Sequence, residues 1–254
     1  MKTTEKPRKS EKRQVKSGWV DSVWDNFKQV FIAVILALLI KTSIVEAYKI
    51  PSSSMEDTLL VGDFLLANKF VYGAWLPIVN WRLPAISEPE RGDVVIFIYP
   101  GDGRTKYIKR CVGTPGDTIL VKDKVLFVNG GRFPDPPFAK YIDTTINGQQ
   151  NIQPRRAGGL NSRDNCGPFI VPPNCYFMMG DNRDNSADSR FWGTVRKDLV
   201  LGEAIMIHWS WDEEAYPSPD VSVTDPASVP RMFIFNAIHF FEKVRWSRLF
   251  TVIN

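Results

Sequence analysis

A serine hydroxyl attacks a peptide carbonyl only when a neighbouring group takes its proton, so serines are read here together with the bases that could serve them. The cluster Ser52-Ser53-Ser54-Met55 follows shortly after an apolar stretch, and a lysine-bearing strand, Tyr107-Ile108-Lys109-Arg110, comes later in the chain. Of the two histidines, His208 lies in the apolar run Ala204 to Trp209 and His239 in the aromatic run Phe235 to Phe241. Both read as packed or interfacial side chains, which leaves lysine as the leading base, a known variant of triad chemistry. An ordinary lysine is charged at neutral pH and accepts no proton, so the site has to desolvate it. The neighbours of Lys109 are apolar, and strand alternation sets it on one face with Tyr107 and Cys111, with Ile108 and Arg110 on the other.

The segments that must hold these residues begin with a charged arm. The 254 residues carry a formal charge of +4. Residues 1–29 hold eight basic side chains against four acidic ones, so the remainder is close to neutral. A neutral body argues against nucleic acid as a partner, because a binding domain carries its own basic face. After the arm, Val30 to Ile40 is an uninterrupted apolar run, extended past Lys28 and Lys41 by Phe27 and Ile44-Val45. With its terminal lysines snorkelling to the headgroups, such a stretch approaches the ~20 residues of a spanning helix. No small-x-small cleavage site follows it directly, so the sequence predicts a retained signal-anchor over 27–48. The arm at 1–26 is then cytoplasmic and the body at 49–254 faces the periplasm or cell exterior.

The body alternates short β-branched or aromatic runs with turn signals. The runs are Asp93 to Tyr99, Lys106 to Val112, Thr118 to Val121, Val125 to Val128, Cys175 to Met179 and Leu201 to Ser210; the turns include Pro115-Gly116-Asp117 and Asn129-Gly130. This predicts a mainly β protein: a membrane-anchored, all-β catalytic domain with one N-terminal transmembrane helix. Residues 129–175 are expected to form an inserted β-ribbon or cap. The aromatic, proline-broken segment from Trp75 to Trp81 is expected either to dip into lipid or to pack as an ordinary loop. The apolar stretch Arg231 to Phe241 is expected to pack against the body. Cys166 and Cys175 either close a disulfide or remain two thiols, with Cys111 a small buried hydrophobe. No Cys/His cluster has metal-ligand spacing, so neither metal nor cofactor is expected.

Several blocks together resemble the bacterial type I signal peptidases, or leader peptidases. They are Ile50-Pro51-Ser52-Ser53-Ser54-Met55 with Thr58-Leu59, Arg91 to Phe97, Tyr107 to Arg110 with Gly113 to Asp117, and Met179 to Gly193. The tail Val244-Arg245-Trp246-Ser247-Arg248 also resembles the family's C-terminus. The resemblance implies Ser54 as nucleophile and Lys109 as general base, with Ser52 lending its hydroxyl to an oxyanion hole beside the Ser54 backbone N–H. It implies that Ser186 orients the lysine amine and that Asp188 and Arg190 brace the site as a charge pair. Small apolar pockets would be shaped by Ile50, Pro51, Met55, Leu59, Ile96, Tyr107 and Ile108, favouring the Ala-x-Ala ends of signal peptides on secretory preproteins. One departure stands out: Glu56-Asp57 follows Met55 where many relatives place a proline before the Thr-Leu pair. A dedicated peptidase for one pilus or conjugation substrate, or an inactive membrane-tethered binding domain, are the alternatives that the sequence leaves open.

Overall fold

The computed structural model describes residues 20–73, 75–76, 81–143, 163–222 and 224–253, without the side chains of 20–22, 35–43, 75–76 and 82. Two compact units divide the chain at Ile40 and Lys41. Helix α1 (Val20–Ser43), whose residues up to Ile40 belong to the first, contains no glycine or proline, which lets a run of Val, Ile, Leu and Ala stay helical. Its described side chains Val23, Trp24, Phe27, Val30, Phe31, Ile32 and Val34 are all exposed. Among the described residues no helix is long and apolar enough to cross a membrane. The basic arm lies outside the described residues as far as residue 19.

The second unit runs through β1 (Val45–Lys49), a 3-10 turn at Ser53–Met55, β2 (Asp63–Asn68), β3 (Trp75–Leu76), β4 (Trp81–Arg82), β5 (Val94–Ile98) and β6 (Lys106–Gly113). It continues through β7 (Thr118–Lys122), β8 (Val125–Val128), β9 (Gly131–Arg132), β10 (Cys166–Ile170), β11 (Cys175–Met179), α2 (Ser189–Trp192) and β12 (Val195–Arg196). Last come β13 (Val200–Ser210), α3 (Ser228–Ile238), α4 (Phe240–Lys243) and β14 (Thr251–Val252). The main sheet has the order β1-β2-β13-β5-β6-β11-β12, with β14 on β13. Register shifts interrupt β13 against both of its main neighbours. Such bulges bend and twist a strand, and the sheet curls far enough for Lys106 of β6 to reach Glu46 of β1, its Nζ 2.8 Å from Oε1.

The expected strands are all present, and the mainly β class holds. A second sheet, β10-β7-β8-β9, is closed by two two-residue turns. Asp123-Lys124 and Asn129-Gly130 have positive φ at both positions, the geometry that matches hairpin twist. This sheet starts at Thr118, ahead of the expected cap, and residues 144–162 of that cap lie outside the described residues. So do residues 77–80 of the Trp75 to Trp81 segment. All three cysteines are free thiols.

Three apolar clusters fill the unit, and one of them, with Ile50, Met55, Leu59, Leu65, Val94, Ile96 and Ile207, lies beneath the 3-10 turn. The C-terminal stretch packs against the body on one side only: the Phe240 ring lies 5.9 Å from those of Trp209 and Trp211, whereas Phe233, Ile234, Ile238 and Phe241 are 60–77% exposed. Hydropathy records that these side chains are apolar but not whether anything covers them. What ties the region down is Lys243, buried beside the rings of Trp211 and Phe235 and bonded to Ser218 and Asn236.

Candidate active site

Ser54 sits on the 3-10 turn, and its neighbours fix the turn from below. Met55 and Leu59 are buried in the core cluster, each contributing on the order of 1.5–3 kcal/mol by leaving water. The loop is closed at its base by Ile50 N donating to Asp63 O (2.8 Å) and Gly62 N to Ile50 O (3.1 Å). Because Ser54 falls in the first turn, its N–H has no intrahelical acceptor, like the leading N–H groups of any helix.

Lys109 comes from the middle of β6 and is 4% exposed. Its Nζ lies 2.5 Å from Ser54 Oγ and 3.0 Å from the Ile108 carbonyl. The amine also sits 5.5 Å from the centre of the Tyr107 ring, on the face that alternation predicts. Burial pulls the Lys109 pKa down to about 8, while the more distant charges of Asp188 and Asp181 pull it partly back. A substantial neutral fraction therefore exists close to neutrality, and a neutral amine can accept the serine proton. Ser52 Oγ is 3.4 Å from Ser54 Oγ on the open side of the site.

The segment after β11 wraps the turn. Asp188 and Arg190 form the expected pair, Arg190 Nε to Asp188 Oδ1 at 2.9 Å and Nη2 to Oδ2 at 2.7 Å, both side chains buried. Burial alone would raise the Asp188 pKa, yet the Arg190 charge and hydrogen bonds hold it below the usual carboxylate range. Ser186 is buried near Ser54; among the described residues its Oγ makes no hydrogen bond to the lysine amine, and it faces Asp188, where it helps to favour the charged carboxylate. A Cβ added at Gly180 would stand 2.2 Å from Ser186 Oγ and 2.5 Å from Ser54 O, so only glycine lets this segment come so close.

Sequence reasoning did not single out Arg110, Asp181, Asn182 and Asn185, although all lie in blocks quoted above. Asp181 takes a bidentate pair from buried Arg110 (2.9 and 2.8 Å) and accepts from Thr58 Oγ1 (2.7 Å). Asn182 donates from its backbone to Ser54 O (3.2 Å) and from Nδ2 to Ser53 O (3.1 Å) and Glu56 Oε2 (3.0 Å). Asn185 Nδ2 donates to Ser53 Oγ (3.0 Å). Four acceptors on and just after the nucleophile's turn are thus held by one loop.

A cavity of about 430 Å³ opens over the Ser54–Lys109 pair. Ile50, Pro51, Met55, Tyr107 and Ile108 line it as expected, joined by Tyr48, Thr105, Lys106 and Ala187. Leu59 and Ile96 do not reach it, since both are fully buried in the core behind the turn. Neither His208 nor His239 borders the cavity. The departure at Glu56-Asp57 has a backbone reason: Asp57 has φ +73°, a conformation closed to proline.

A family model described as "Signal peptidase, peptidase S26" matches residues 23–209. Signal peptidase I of Pseudomonas fluorescens is 38% identical over 207 residues, covering 73% of this chain and 72% of its own length. Signal peptidase I of Aquifex aeolicus is 32% identical over 257 residues, with coverages of 82% and 91%. Among solved structures, a crystal structure of a signal peptidase I from Enterococcus faecalis is 30% identical with a TM-score of 0.34, covering 46% of this chain and 97% of that one.

Proposed function

The chain belongs to the signal peptidase I family, peptidase S26, and from that premise we propose a membrane-bound serine endopeptidase that removes signal peptides from exported preproteins through a Ser54–Lys109 dyad. The observation that carries the proposal is the 2.5 Å contact between Ser54 Oγ and a lysine whose charge is disfavoured by burial.

With Lys109 neutral, the Ser54 hydroxyl donates to the amine lone pair. As Oγ adds to the scissile carbonyl, its proton moves to Nζ. Collapse of the tetrahedral adduct breaks the C–N bond, Nζ returns the proton to the leaving amine, and the signal peptide stays esterified to Ser54. Water, deprotonated by the same amine, then hydrolyses that ester. The Ser54 N–H and the Ser52 hydroxyl face the developing oxyanion in this reading, Ser186 lies beside the dyad, and the Asp188–Arg190 pair keeps the surrounding loop fixed.

Substrate binding follows from two free backbone edges. Among the described residues β1 pairs with β2 alone, and Lys106 to Lys109 pair with β5 on one side, while on the other side β6 pairs with β11 from Arg110 onward. An extended peptide fits between the two edges as an added strand, with small side chains turned toward Ile50, Met55 and Ile108. That supports Ala-x-Ala ends as the recognised sequence. The exposed apolar face of α1 and the basic arm before it support a single-pass anchor in the bacterial cell membrane, N-terminus inside and catalytic unit outside.

The test is cleavage of a preprotein whose signal ends in Ala-x-Ala, with the new N-terminus mapped by mass spectrometry. The parent cleaves after the second alanine, and Ser54→Ala and Lys109→Ala each lose at least about a thousandfold in rate. Unimpaired cleavage by either variant would sink the dyad.

A further inference from the structure

The turn that carries Ser54 has an unusual backbone two residues after Met55. Asp57 adopts φ +73°, a left-handed conformation that is unfavourable for a non-glycine residue and persists only where its surroundings impose it. The surroundings here are ionic. Lys140 Nζ lies 3.2 Å from Glu56 Oε1 and 3.7 Å from Asp57 Oδ2, while the second Glu56 oxygen accepts from Asn182 Nδ2 at 3.0 Å. The backbone of residue 140 is itself fixed to the loop that grips Ser54. Lys140 N donates to Asp181 O (2.8 Å) and Arg183 N donates to Lys140 O (2.9 Å), flanking the Asn182 N–H that holds Ser54 O.

We propose that Lys140 is a positioning residue for the nucleophile. Its ammonium clamps Glu56 and Asp57 so that the Ser54 turn holds its shape by charge. The inference rests on Ser54 being the nucleophile. A clamp whose three side chains are one-third to one-half exposed weakens as ionic strength rises. Lys140 touches neither Ser54 Oγ nor the cavity lining, so its loss alters how often Ser54 is aligned, not how the peptide binds.

The experiment measures kcat and KM on the Ala-x-Ala preprotein for the full-length parent, Lys140→Met, Lys140→Arg and Glu56→Gln in detergent, from 50 mM to 1 M NaCl, with thermal unfolding in parallel. A control, Lys197→Met, breaks the exposed Lys197–Glu88 pair remote from the turn. The expected result is a kcat lowered about three- to tenfold in Lys140→Met and Glu56→Gln at low salt, KM unchanged, Arg restoring most of it, and the control behaving as the parent. The parent's kcat falls with salt toward the value of Lys140→Met, which itself is salt-insensitive. Parent-like kcat in both clamp variants overturns the proposal, as does an equal loss in the control, a KM effect alone, or failure of Arg to rescue. If Lys140→Met does not fold, Glu56→Gln decides by the same criteria. An inactive parent would instead count against the function proposed above.

Discussion

An unfolded lysine titrates near 10.5, and burial in β6 brings Lys109 down to about 8. Between those values the unfolded chain carries a proton that the folded chain lacks. Stability therefore rises with pH across that window, and below about pH 8 the full penalty stands. At about 1.4 kcal/mol per pH unit, the penalty at neutral pH is on the order of 3 kcal/mol. The same desolvation frees the amine to act as a base, so kcat/KM is expected to rise with pH and level off above about 8. Lys109→Met should abolish cleavage yet raise the urea midpoint at pH 7, with its advantage shrinking as pH goes from 8 to 10.5. A variant less stable than the parent at pH 7 would mean that the lysine is a structural asset.

At the scale of elements, legibility tracked sequence distance. Ser54, Lys109, Asp188 and Arg190 were picked out by the resemblance of their blocks to the signal peptidases, and the structure brings Ser54 to Lys109 and Asp188 to Arg190, while β5 to β8 were readable because each buries β-branched residues between clear turns. What was not readable depends on partners far along the chain. The bonds from Asn182 and Asn185 to the turn span 126 to 132 residues, and the retreat of Leu59 and Ile96 from the cavity depends on how the curled sheet closes over its core. The C-terminal 3-10 turn at Trp246–Arg248 belongs to this second kind. Arg248 Nη2 lies 2.6 Å from Asp63 Oδ2 and 2.8 Å from the Thr58 carbonyl, spanning the loop that bears the nucleophile. Asp63 is fully buried, with Ser210 Oγ and Leu60 N as its neutral donors. Removing the cation would leave a buried carboxylate without charge compensation, so Arg248→Met should cost about 2–3 kcal/mol in urea unfolding with an unchanged m-value. A loss within ~0.5 kcal/mol of zero would show that Ser210 and Leu60 suffice.

Across the whole molecule, charge and apolarity are segregated along the chain. Residues 1–29 carry a net +4 while the rest is near neutral, and α1 follows with its described apolar side chains uncovered. Moving four net positive charges outward against an interior-negative potential costs about 9 kcal/mol at 100 mV, whereas the near-neutral body meets no comparable barrier. The proposed orientation is the one this charge distribution favours irrespective of the catalytic residues, and it is tested without them. In spheroplasts expressing Ser54→Ala with a short epitope ahead of Lys2, added protease should digest the catalytic unit while the epitope survives on a membrane-bound fragment that resists alkaline extraction. Replacing Lys9, Lys12, Arg13 and Lys16 with glutamate should expose the epitope in a fraction of the molecules. Digestion of the epitope in the unmodified chain would reverse the orientation, and release of the fragment by alkali would show that α1 lies on the membrane instead of crossing it.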